Sequence, residues 1–495
     1  MGNRQALSSG FPISVIRGGA LNAALVVISA LLASLAFPPH ELWPLAWVCL
    51  VPLFIALGRT SAVRASGWLA LLFGLVFLGF TLRWLTNIFG TGIVGIMLLG
   101  SLPFVLFGLA YRFVYARSSP LAAALMTPVL WLAVDWLRCD GWYFRFSWAQ
   151  LGFTQISWRG GLAFYPLVGV YGVTLLIALV NSGVAALFDR RLGLRTRCGF
   201  LEACVAIAAA GVILSFLAQP FHSGAKVIVG AVQDESGDVE ALKQLTVGGN
   251  PRLRPYLVVW PEYAVYDYPL SKPALLAELR RVARKSGSVL ILGCKERAPA
   301  NAPCDWFRRR AMGDELFYNA ALIIGPKGDV LGTYHKTHPI QLFSDGVPGR
   351  SYPVFSTPSG RVGVAICYDF DFASSALNLV RNGAEIIVVP TFDPGSWGAL
   401  QHVQHARMAQ ARAAEAGRWV VRATSSGVTQ IINPGGEVTA QLPQMRSSAL
   451  SGRAAFRSGL TPYVRVGYLL PYVCAALSAI WLAAPVLRRL SGLSR

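Results

Sequence analysis

The sequence predicts a polytopic α-helical membrane bundle of about eight spans that carries one extracytoplasmic α/β domain. The chain has a mean hydropathy of +0.50, and 54% of its residues are hydrophobic. Only 14% of the residues are charged, whereas soluble globular chains carry about 25%. Hydrophobic segments also enclose a more polar block, roughly residues 225 to 455, on both sides. This pattern indicates an integral membrane protein with a folded domain outside the bilayer.

Eight segments have about the 20 predominantly apolar residues that a membrane span needs. They cover approximately residues 20–37, 42–58, 66–82, 92–111, 119–137, 162–188, 199–219 and 467–487. The first could instead be a signal peptide, because Arg4 and Arg17 precede it and Ser34-Leu35-Ala36 resembles a cleavage site. Its apolar stretch is longer than a usual signal core, however, and another span follows almost at once. We therefore expect a membrane region over 1–219, an α/β domain over 220–458, and a last span with a basic tail over 459–495.

The basic residues of the short loops predict the orientation, because Lys and Arg are retained on the cytoplasmic side. Thirteen arginines, from Arg4 to Arg495, fall on one side of the membrane, and four fall on the other. Both termini are then cytoplasmic, and the polar block lies outside. Much of the net charge of +20 is in these topogenic loops, so it does not indicate nucleic-acid binding.

Short β-branched runs alternate with helical stretches in the polar block. The runs are Val227–Val229, Leu257–Val259, Val289–Leu292, Ala321–Ile324, Val362–Ile366, Ile386–Val389, Val420–Arg422 and Gln430–Ile432. Continuous apolar runs of this kind predict strands that are buried on both faces. The pattern also predicts amphipathic helices over Pro273–Lys285 and Ala399–Ala416, each ended by a glycine, and hairpin turns at Gly325–Asp329 and Asn433–Gly436.

Three chemically distinct residues each close a short apolar segment: Glu262 closes Val258–Glu262, Lys336 closes Leu331–Lys336, and Cys367 closes Val364–Cys367. A thiol nucleophile needs a base to take its proton and a positive donor to hold the oxyanion that forms on an attacked carbonyl. Pro261 restricts Trp260 to an extended backbone, which fixes how Glu262 leaves its strand. Because side chains at strand ends meet at one edge of an α/β sheet, these residues predict an acyl-transfer site.

The remaining cysteines and histidines leave alternatives open. Cys294 and Cys304 could form a disulfide in an oxidising compartment, which would leave Cys367 as the unpaired thiol of the external block. A Cys–His hydrolase is a second chemical possibility, and its candidate bases are His335, His338, His402 and His405. These histidines also have the spacing of metal pairs, but they lack a convincing further ligand, so we expect no metal and no cofactor.

Strand-ending Glu, Lys and Cys in this order are similar to the carbon–nitrogen hydrolase (nitrilase) superfamily, whose fold is an αββα sandwich. Together with the flanking spans, the resemblance narrows to the apolipoprotein N-acyltransferases and covers nearly the whole chain. The motifs that carry it are Phe37-Pro38-Pro39, Asp135-Trp136-Leu137-Arg138, Ser147-Trp148-Ala149-Gln150-Leu151-Gly152, Trp260-Pro261-Glu262, Tyr318-Asn319-Ala320, Ile366-Cys367-Tyr368 and Val421-Arg422-Ala423-Thr424-Ser425-Ser426-Gly427.

This resemblance implies a role for each matching residue. Glu262 would be the general base, Lys336 the oxyanion-stabilising cation and Cys367 the nucleophile that holds the acyl group as a thioester. The backbone amide of Tyr368 would be a second oxyanion donor. The acyl donor would be a phospholipid, and the acceptor would be the N-terminal amine of an S-diacylglyceryl cysteine on a lipoprotein. The protein would lie in a bacterial inner membrane, with its catalytic domain on the periplasmic side. Nothing in the predicted spans requires a partner, so we expect a monomer.

The chain departs from the family pattern in three places. Ser344 occupies a position where the family has a glutamate, and Asp345 follows one residue later. Asp369 replaces the glutamate after Cys-Tyr, and the stretch from Gln233 to Tyr256 has no tryptophan. These changes keep two other hypotheses open. One is a membrane-bound amidase or an acyltransferase for a different amine, and the other is a scaffold without turnover.

Overall fold

The computed structural model describes residues 13–217, 222–247, 254–313 and 315–490. Within these residues, helices fill the N-terminal part and the end of the chain, and two β-sheets lie between them. Arg4 and Arg495, which contribute to the predicted orientation, lie outside the described residues. So do residues 218–219 of the seventh predicted span and residues 248–253 of the stretch without tryptophan.

The described residues before 218 form nine α-helices. They are α1 (Ile13–Leu35), α2 (Val51–Arg59), α3 (Val63–Thr81), α4 (Thr86–Phe89), α5 (Ile93–Arg117), α6 (Pro120–Trp136), α7 (Arg159–Leu162), α8 (Tyr165–Ala186) and α9 (Leu194–Leu217). Short 3-10 turns at Trp43–Trp47, Arg83–Leu85, Gly90–Gly92 and Leu151–Ser157 connect them, and a π-helical turn at Leu137–Gly141 extends α6.

Five segments of the described chain are helical, long and apolar enough to cross a membrane. They are Gly18–Leu35, Val63–Thr81, Arg83–Arg117, Pro120–Gly141 and Tyr165–Ala186. Trp43–Arg59 and Leu469–Ala484 are apolar helices of shorter length. The second predicted span is therefore not one continuous helix. Proline favours the first turn of a helix and interrupts a preceding one, and Pro44 and Pro52 stand at the starts of the two short helices. The total of eight spans stays a prediction.

The polar block contains twelve strands in its described residues. They are β1 (His222–Gln233), β2 (Leu257–Val259), β3 (Val289–Arg297), β4 (Phe317–Ile324), β5 (Val330–His335), β6 (Val354–Thr357), β7 (Gly360–Val364), β8 (Ile386–Thr391), β9 (Trp419–Thr424), β10 (Gln430–Ile432), β11 (Val438–Gln441) and β12 (Ser448–Ser458). They form two six-stranded sheets with the orders β12-β1-β2-β3-β4-β5 and β11-β10-β9-β8-β7-β6. The central pairs β1–β2–β3 and β7–β8–β9 are parallel.

Helices cover the outer faces of both sheets. The helices of this block are α10 (Val239–Val247), α11 (Pro273–Ser286), α12 (Trp306–Met312), α13 (Ala373–Arg381) and α14 (Ala399–Ala416), and α15 (Pro462–Val466) and α16 (Leu469–Leu490) follow it. One apolar core joins the inner faces of the two sheets. A second core lies between the first sheet and α11, and a third lies between the second sheet and α13 and α14. The αββα sandwich that the resemblance implies is thus present.

The eight predicted strands correspond to β1–β4 and β7–β10, and α11 and α14 lie where amphipathic helices were predicted. Gly287 and Gly417 end these helices with φ of 67° and 61°, a left-handed conformation that glycine adopts without a steric penalty. Strands β6, β11 and β12 were missed, and β5 was indicated only by the segment that Lys336 closes. All four lie at sheet edges. β6 and β11 contain no long apolar run, and β12 alternates between exposed and half-buried residues over much of its length.

The disulfide that the sequence left open between Cys294 and Cys304 is not formed, because both residues are free thiols. Cys294 lies on β3 and packs into the core beneath α11. Cys304 packs instead near Ala302, Leu316 and Val347, in a separate small cluster. The two side chains therefore face different parts of the domain.

Candidate active site

Three strand ends bring Glu262, Lys336 and Cys367 together. Glu262 follows β2, Lys336 follows β5, and Cys367 follows β7. The Nζ of Lys336 donates to Oε1 of Glu262 at 2.8 Å. The backbone of Phe392 links Glu262 to the thiol, since its amide donates to Oε2 of Glu262 at 2.8 Å and its carbonyl lies 3.8 Å from Sγ of Cys367. All three side chains are at most 3% exposed, so the group is shielded from bulk water.

Asp345 completes the ion cluster. Its Oδ2 accepts from Nζ of Lys336 and from the backbone amide of Ile340, both at 2.8 Å. Its Oδ1 accepts from Nδ2 of Asn319 at 2.8 Å and from the hydroxyl of Tyr263 at 3.0 Å. Asp345 is buried, whereas the preceding Ser344 is exposed. The shorter side chain therefore reaches the lysine despite its shift by one residue.

Asn319 ties the carboxylates together, because its Nδ2 also donates to Oε1 of Glu262 at 2.6 Å. The sequence pointed to Asn319 only through the Tyr318-Asn319-Ala320 motif, and it gave no role to Tyr263. Tyr263 stands directly after Glu262 with φ of 55°, an uncommon conformation for a residue with a side chain. The chain turns sharply there, which directs Glu262 and Tyr263 to the same cluster.

Cys367 also has a left-handed backbone, with φ of 50°. It begins a 3-10 helix that runs from Cys367 to Asp371. The first amide groups of a helix have no acceptor within that helix, and the amide of Tyr368 is in this first turn. The hydroxyl of Tyr368 donates to the carbonyl of Arg145 at 3.0 Å. That bond fixes the ring against the loop that enters from the membrane helices.

The surrounding charges set the protonation of the three groups. Burial raises the pKa of Glu262. The Lys336 ammonium group offsets only part of this increase, so the pKa stays above its usual value. Burial alone would lower the pKa of Lys336, but the carboxylates of Asp345 and Glu262 raise it well above its usual range. Burial and the Glu262 carboxylate raise the pKa of Cys367 well above that of a free thiol. The resting site therefore holds an ammonium group and a protonated thiol, and the thiol needs a base before it can attack.

Asp369 lies close to the ion cluster. Its Oδ2 accepts from the hydroxyl of Tyr334 at 2.8 Å and from the amide of Ile366 at 3.1 Å, and its Oδ1 accepts from the amide of His338 at 2.6 Å. Burial favours the neutral acid, but the hydrogen bond from His338 and the nearby positive charges hold the pKa of Asp369 below its usual range. This carboxylate joins the segment after Lys336 to the turn that presents Cys367.

A buried charge cluster lies on another side of the thiol. The Nδ1 of His405 lies 2.7 Å from Asp393, and its Nε2 lies 3.1 Å from Asp371. Asp393 also pairs with Arg422 at 2.5 Å. Burial lowers the pKa of His405, but the carboxylates of Asp393 and Asp371 raise it to about 9. The imidazole is thus held as a cation between two carboxylates.

This arrangement does not suit a Cys–His hydrolase, because both ring nitrogens of His405 are already bound. The other candidate bases are bound elsewhere: His335 to Glu296, His338 to Asp369, and His402 to the carbonyl of Pro394. Ligand-type atoms of Cys367, Asp393 and His405 lie within 4.8 Å of one another. A metal needs a neutral imidazole with a free lone pair, however, and this protonated histidine does not offer one.

The sequence prediction missed Asp371 and Asp393 altogether. Asp393 stands two residues after β8, so the strand-end pattern that identified the other three residues could have found it. Asp371 lies in the turn after Cys367 and accepts from Nε1 of Trp148 at 2.7 Å. That contact crosses from a membrane-region loop to the sheet domain, and local sequence patterns do not reveal it.

A predominantly apolar cavity opens beside Cys367. It has an empty volume of about 1110 Å³, including its mouth. Leu78 of α3, Leu82 just after that helix, and Met97 and Gly100 of α5 form part of its wall. Three aromatic residues of the segment after α6, Trp142, Phe144 and Phe146, also line it, together with Ile340, Leu342 and Phe343. The neighbouring Tyr143 packs instead near Phe307 of α12, with the two rings tilted by 37°. The thiol therefore faces a space that extends between the membrane helices.

Two family models match the chain: the apolipoprotein N-acyltransferase N-terminal domain over residues 29–183 and the carbon-nitrogen hydrolase domain over residues 250–452. An apolipoprotein N-acyltransferase of Azotobacter vinelandii is 30% identical over 494 residues, covering 89% of this chain and 90% of that protein. One of Geobacter metallireducens is 26% identical, covering 94% and 95%.

Solved structures align with about half of this chain. A carbon-nitrogen hydrolase of Helicobacter pylori aligns with 18% identity and a TM-score of 0.39, covering 47% of this chain and 90% of that chain. The nitrilase-superfamily protein Nit3 of Saccharomyces cerevisiae aligns with 20% identity and a TM-score of 0.39, covering 47% and 91%. The two matching family models and the relatives that align along nearly their whole length establish the family: the chain belongs to the apolipoprotein N-acyltransferases.

Proposed function

We propose that the protein transfers an acyl chain from a membrane phospholipid, through a thioester on Cys367, to the N-terminal amine of S-diacylglyceryl-cysteine lipoproteins. The observation that carries this proposal is the meeting of the Glu262–Lys336–Cys367 cluster with an apolar cavity between membrane helices. A soluble amide needs no such cavity, whereas a lipid acyl chain does. The names of the relatives supply the lipoprotein as the acceptor.

In the first half-reaction, Glu262 takes the thiol proton and Sγ of Cys367 attacks the ester carbonyl of the phospholipid. Lys336 and the amide of Tyr368 hold the oxyanion, since donors placed before the reaction stabilise developing charge most effectively. The tetrahedral intermediate then expels the lyso-lipid alkoxide, which receives the proton from Glu262. A raised pKa suits Glu262 to both duties, because the same group acts first as base and then as acid.

In the second half-reaction, the lipoprotein amine attacks the thioester carbonyl. Glu262 accepts a proton from the amine, and the thiolate leaves as the amide forms. The proton on Glu262 then returns to Sγ, which restores the resting site. Each half-reaction conserves protons and needs no cofactor.

The proposal includes the placement of the enzyme. Residues 220–458 form the catalytic domain on the periplasmic side of a bacterial inner membrane. Seven spans in 1–219 precede it, and one span in 459–495 follows, with both termini in the cytoplasm. The proposal also makes the enzyme a monomer. Five long apolar helices support five of these spans, and the loop charges support the orientation.

The alternative, a different amine or water as acceptor, was favoured by the loop at Ser344. The contact of 2.8 Å between Asp345 and Lys336 supplies the carboxylate that this loop lacks at position 344. No feature of the described site then favours the alternative over the lipoprotein acceptor.

A transfer experiment tests the acceptor. Purified protein loaded with acyl groups from phospholipid is mixed with a synthetic diacylglyceryl-cysteine peptide that has a free amine. We expect an N-acylated peptide and loss of the acyl mass from the enzyme. An otherwise identical peptide with an acetylated amine is the matched control and should leave the enzyme loaded. Release of free fatty acid at equal rates with both peptides would contradict the proposed acceptor.

A further inference from the structure

The membrane helices enclose a second cavity, far from Cys367. It has about 1540 Å³ of empty volume, including its open side. The C-terminal halves of α2, α5 and α8, the first turns of α6 and the loop after α8 line it. Met97 faces the cavity at Cys367 and Tyr115 faces the second one. At a rise of 1.5 Å per residue, these two positions on α5 are about 27 Å apart, close to the thickness of a hydrocarbon core of about 30 Å.

The wall of the second cavity is strongly basic. The arginines that line it are Arg59, Arg190, Arg191 and Arg197, and the carboxylate among the lining residues is Asp189. Arg191 pairs with Asp189 at 2.7 Å, so this carboxylate is already neutralised. Among the described residues, Arg59 and Arg190 have no carboxylate within salt-bridge distance. The cavity therefore has an excess of positive charge for an anion to neutralise.

Two of the guanidinium groups are held in place by the protein. Arg191 lies over the ring of Tyr115 at 3.5 Å and donates to the carbonyl of Tyr115 at 3.1 Å. Arg197 donates to the carbonyls of Leu192 and Leu187 at 2.7 and 3.1 Å. Side chains that are already ordered lose little conformational entropy when a ligand binds. Planar guanidinium groups also match the geometry of phosphate oxygens.

The rim of the cavity is apolar. Phe188 lines the cavity and is 63% exposed. Leu121 follows the lining residue Pro120 and is 37% exposed, and Leu194 lies between the lining residues Arg191 and Arg197 and is 72% exposed. A free inorganic anion would use only the arginines. A lipid would use both features, with its phosphate on the arginines and its acyl chains along the exposed apolar side chains.

We propose that this cavity binds the phosphate group of an anionic phospholipid in the leaflet opposite to the catalytic site. Basic pockets between membrane helices are suited to such headgroups. The lipid here is a bound ligand and not the acyl donor, because the cavity is separated from Cys367 by most of the bilayer.

Native mass spectrometry of the purified full-length protein tests this proposal, with phosphatidylglycerol and phosphatidylcholine as probes. We expect a phosphatidylglycerol adduct that persists at collision energies that strip phosphatidylcholine. In Arg59→Gln/Arg190→Gln, phosphatidylglycerol should bind roughly thirty-fold more weakly, because each of the two basic side chains near a membrane surface contributes about 1 kcal/mol to anionic-lipid binding. Arg64→Gln/Arg195→Gln removes the same charge from exposed arginines that do not line the cavity, and it should bind like the parent.

Equal retention of the two lipids by the parent protein would overturn the proposal, and this comparison requires no variant to fold. Equal weakening in both double variants would also overturn it, since that result indicates a general charge effect. Inorganic phosphate and glycerophosphoglycerol distinguish the source of the anion. If either displaces the lipid at equal concentration, the cavity binds a free phosphate and the lipid assignment is wrong. Neither double variant touches the Cys367 site, so failure of acyl loading would concern the proposed function and not this cavity.

Discussion

At Lys336, two carboxylates share one ammonium group. Glu262 and Asp345 each lie 2.8 Å from Nζ, which gives the ion cluster a net negative charge when both acids are ionised. That excess favours proton uptake, and Asp345 is one of the groups that raise the pKa of Glu262. We infer that Asp345 keeps Lys336 charged and Glu262 basic enough to deprotonate a thiol whose own pKa is raised. Asp345 is thus a positioning residue that acts through the other two.

Asp345→Asn tests this role. We expect acyl loading of Cys367 to slow by on the order of 100-fold, the usual cost of disturbing one oxyanion donor. The acid limb of the pH–rate profile should also move to lower pH, because removal of a negative neighbour lowers the pKa of Glu262 toward the ordinary value of about 4.3. Single-turnover loading followed by intact mass over a pH series measures both effects.

Ser344→Ala is the matched control for that experiment, since Ser344 is exposed beside Asp345. Its loading rate and pH profile should equal those of the parent. If Asp345→Asn slows acyl loading but does not move the acid limb of the pH–rate profile, then Asp345 has only a structural role.

His405 predicts a pH dependence of stability. Its pKa is about 9 in the folded protein and about 6.5 in an unfolded chain. The folded state thus binds the proton more tightly, so this stabilisation is fully present below pH 6.5 and is lost as the pH rises through 9. The loss is up to about 3 kcal/mol in the free energy of unfolding. We expect the melting temperature in detergent to fall between pH 6.5 and 9.5, and to fall less in His405→Gln.

His40→Gln controls for the loss of a histidine, because His40 is exposed. Its melting temperature should follow the parent at every pH. If the melting temperatures of His405→Gln and the parent fall equally with rising pH, the charged state assigned to His405 is contradicted.

At the scale of elements, strand ends and glycine-terminated helices were the features that the sequence predicted best. Glu262 and Cys367 follow strands of the two parallel groups, and Lys336 follows β5, which runs in the same direction as β3 because two antiparallel pairings separate them. Strand carboxyl ends that point the same way lie at one edge, and this rule needs only local patterns. Asp371 and Trp148 could not be paired in the same way. Their contact depends on how a membrane-region loop docks on the sheet domain, which the local pattern does not specify. The edge strand β11 was missed because its half-exposed side chains give no apolar run.

The cavity beside Cys367 predicts how α5 selects acyl chains. Gly100 lines this cavity, and a Cβ atom there would lie 3.2 Å from the side chain of Leu78. Gly100→Val should therefore fill part of the space and favour shorter acyl chains. We expect a shift of about ten-fold toward the shorter chain, since a methylene in an apolar pocket contributes about 1–3 kcal/mol to discrimination. Competition between a short-chain and a long-chain phospholipid, read as adduct masses on Cys367, measures the shift.

Gly95→Val is the matched control on the same helix, because a Cβ at Gly95 has no atom within 4 Å. It should keep the preference of the parent. An unchanged preference in Gly100→Val would show that the acyl chain does not extend to this part of the cavity.

At the scale of the whole molecule, the sheet domain is joined to the membrane helices by polar contacts as well as apolar packing. Nε1 of Trp148 donates to Asp371, and the amide of Val170 in α8 donates to Glu415 of α14 at 2.7 Å. Arg407 of α14 pairs with Glu41 at 2.8 Å. These contacts hold Cys367 at the mouth of a cavity that membrane helices form, so each part alone would lack half of the site.

The proposed topology predicts opposite labelling of two exposed positions. Lys327 lies in the turn between β4 and β5, and Arg195 lies at the start of α9. With the exposed Cys198 replaced by serine to reduce background, Lys327→Cys should react with an impermeant maleimide in intact spheroplasts. Arg195→Cys should react only after permeabilisation. Reaction of both positions before permeabilisation would contradict the assigned sides of the membrane.

The central claim is that Cys367 takes an acyl group from phospholipid, and the intact mass of the purified protein tests it most directly. The protein is mixed with phospholipids of defined acyl chains and measured beside a Cys367→Ala variant. We predict a mass gain equal to the acyl group supplied, present in the parent and absent in the variant. No gain with any phospholipid, or an equal gain in Cys367→Ala, would contradict a thioester enzyme that is supplied by membrane lipid.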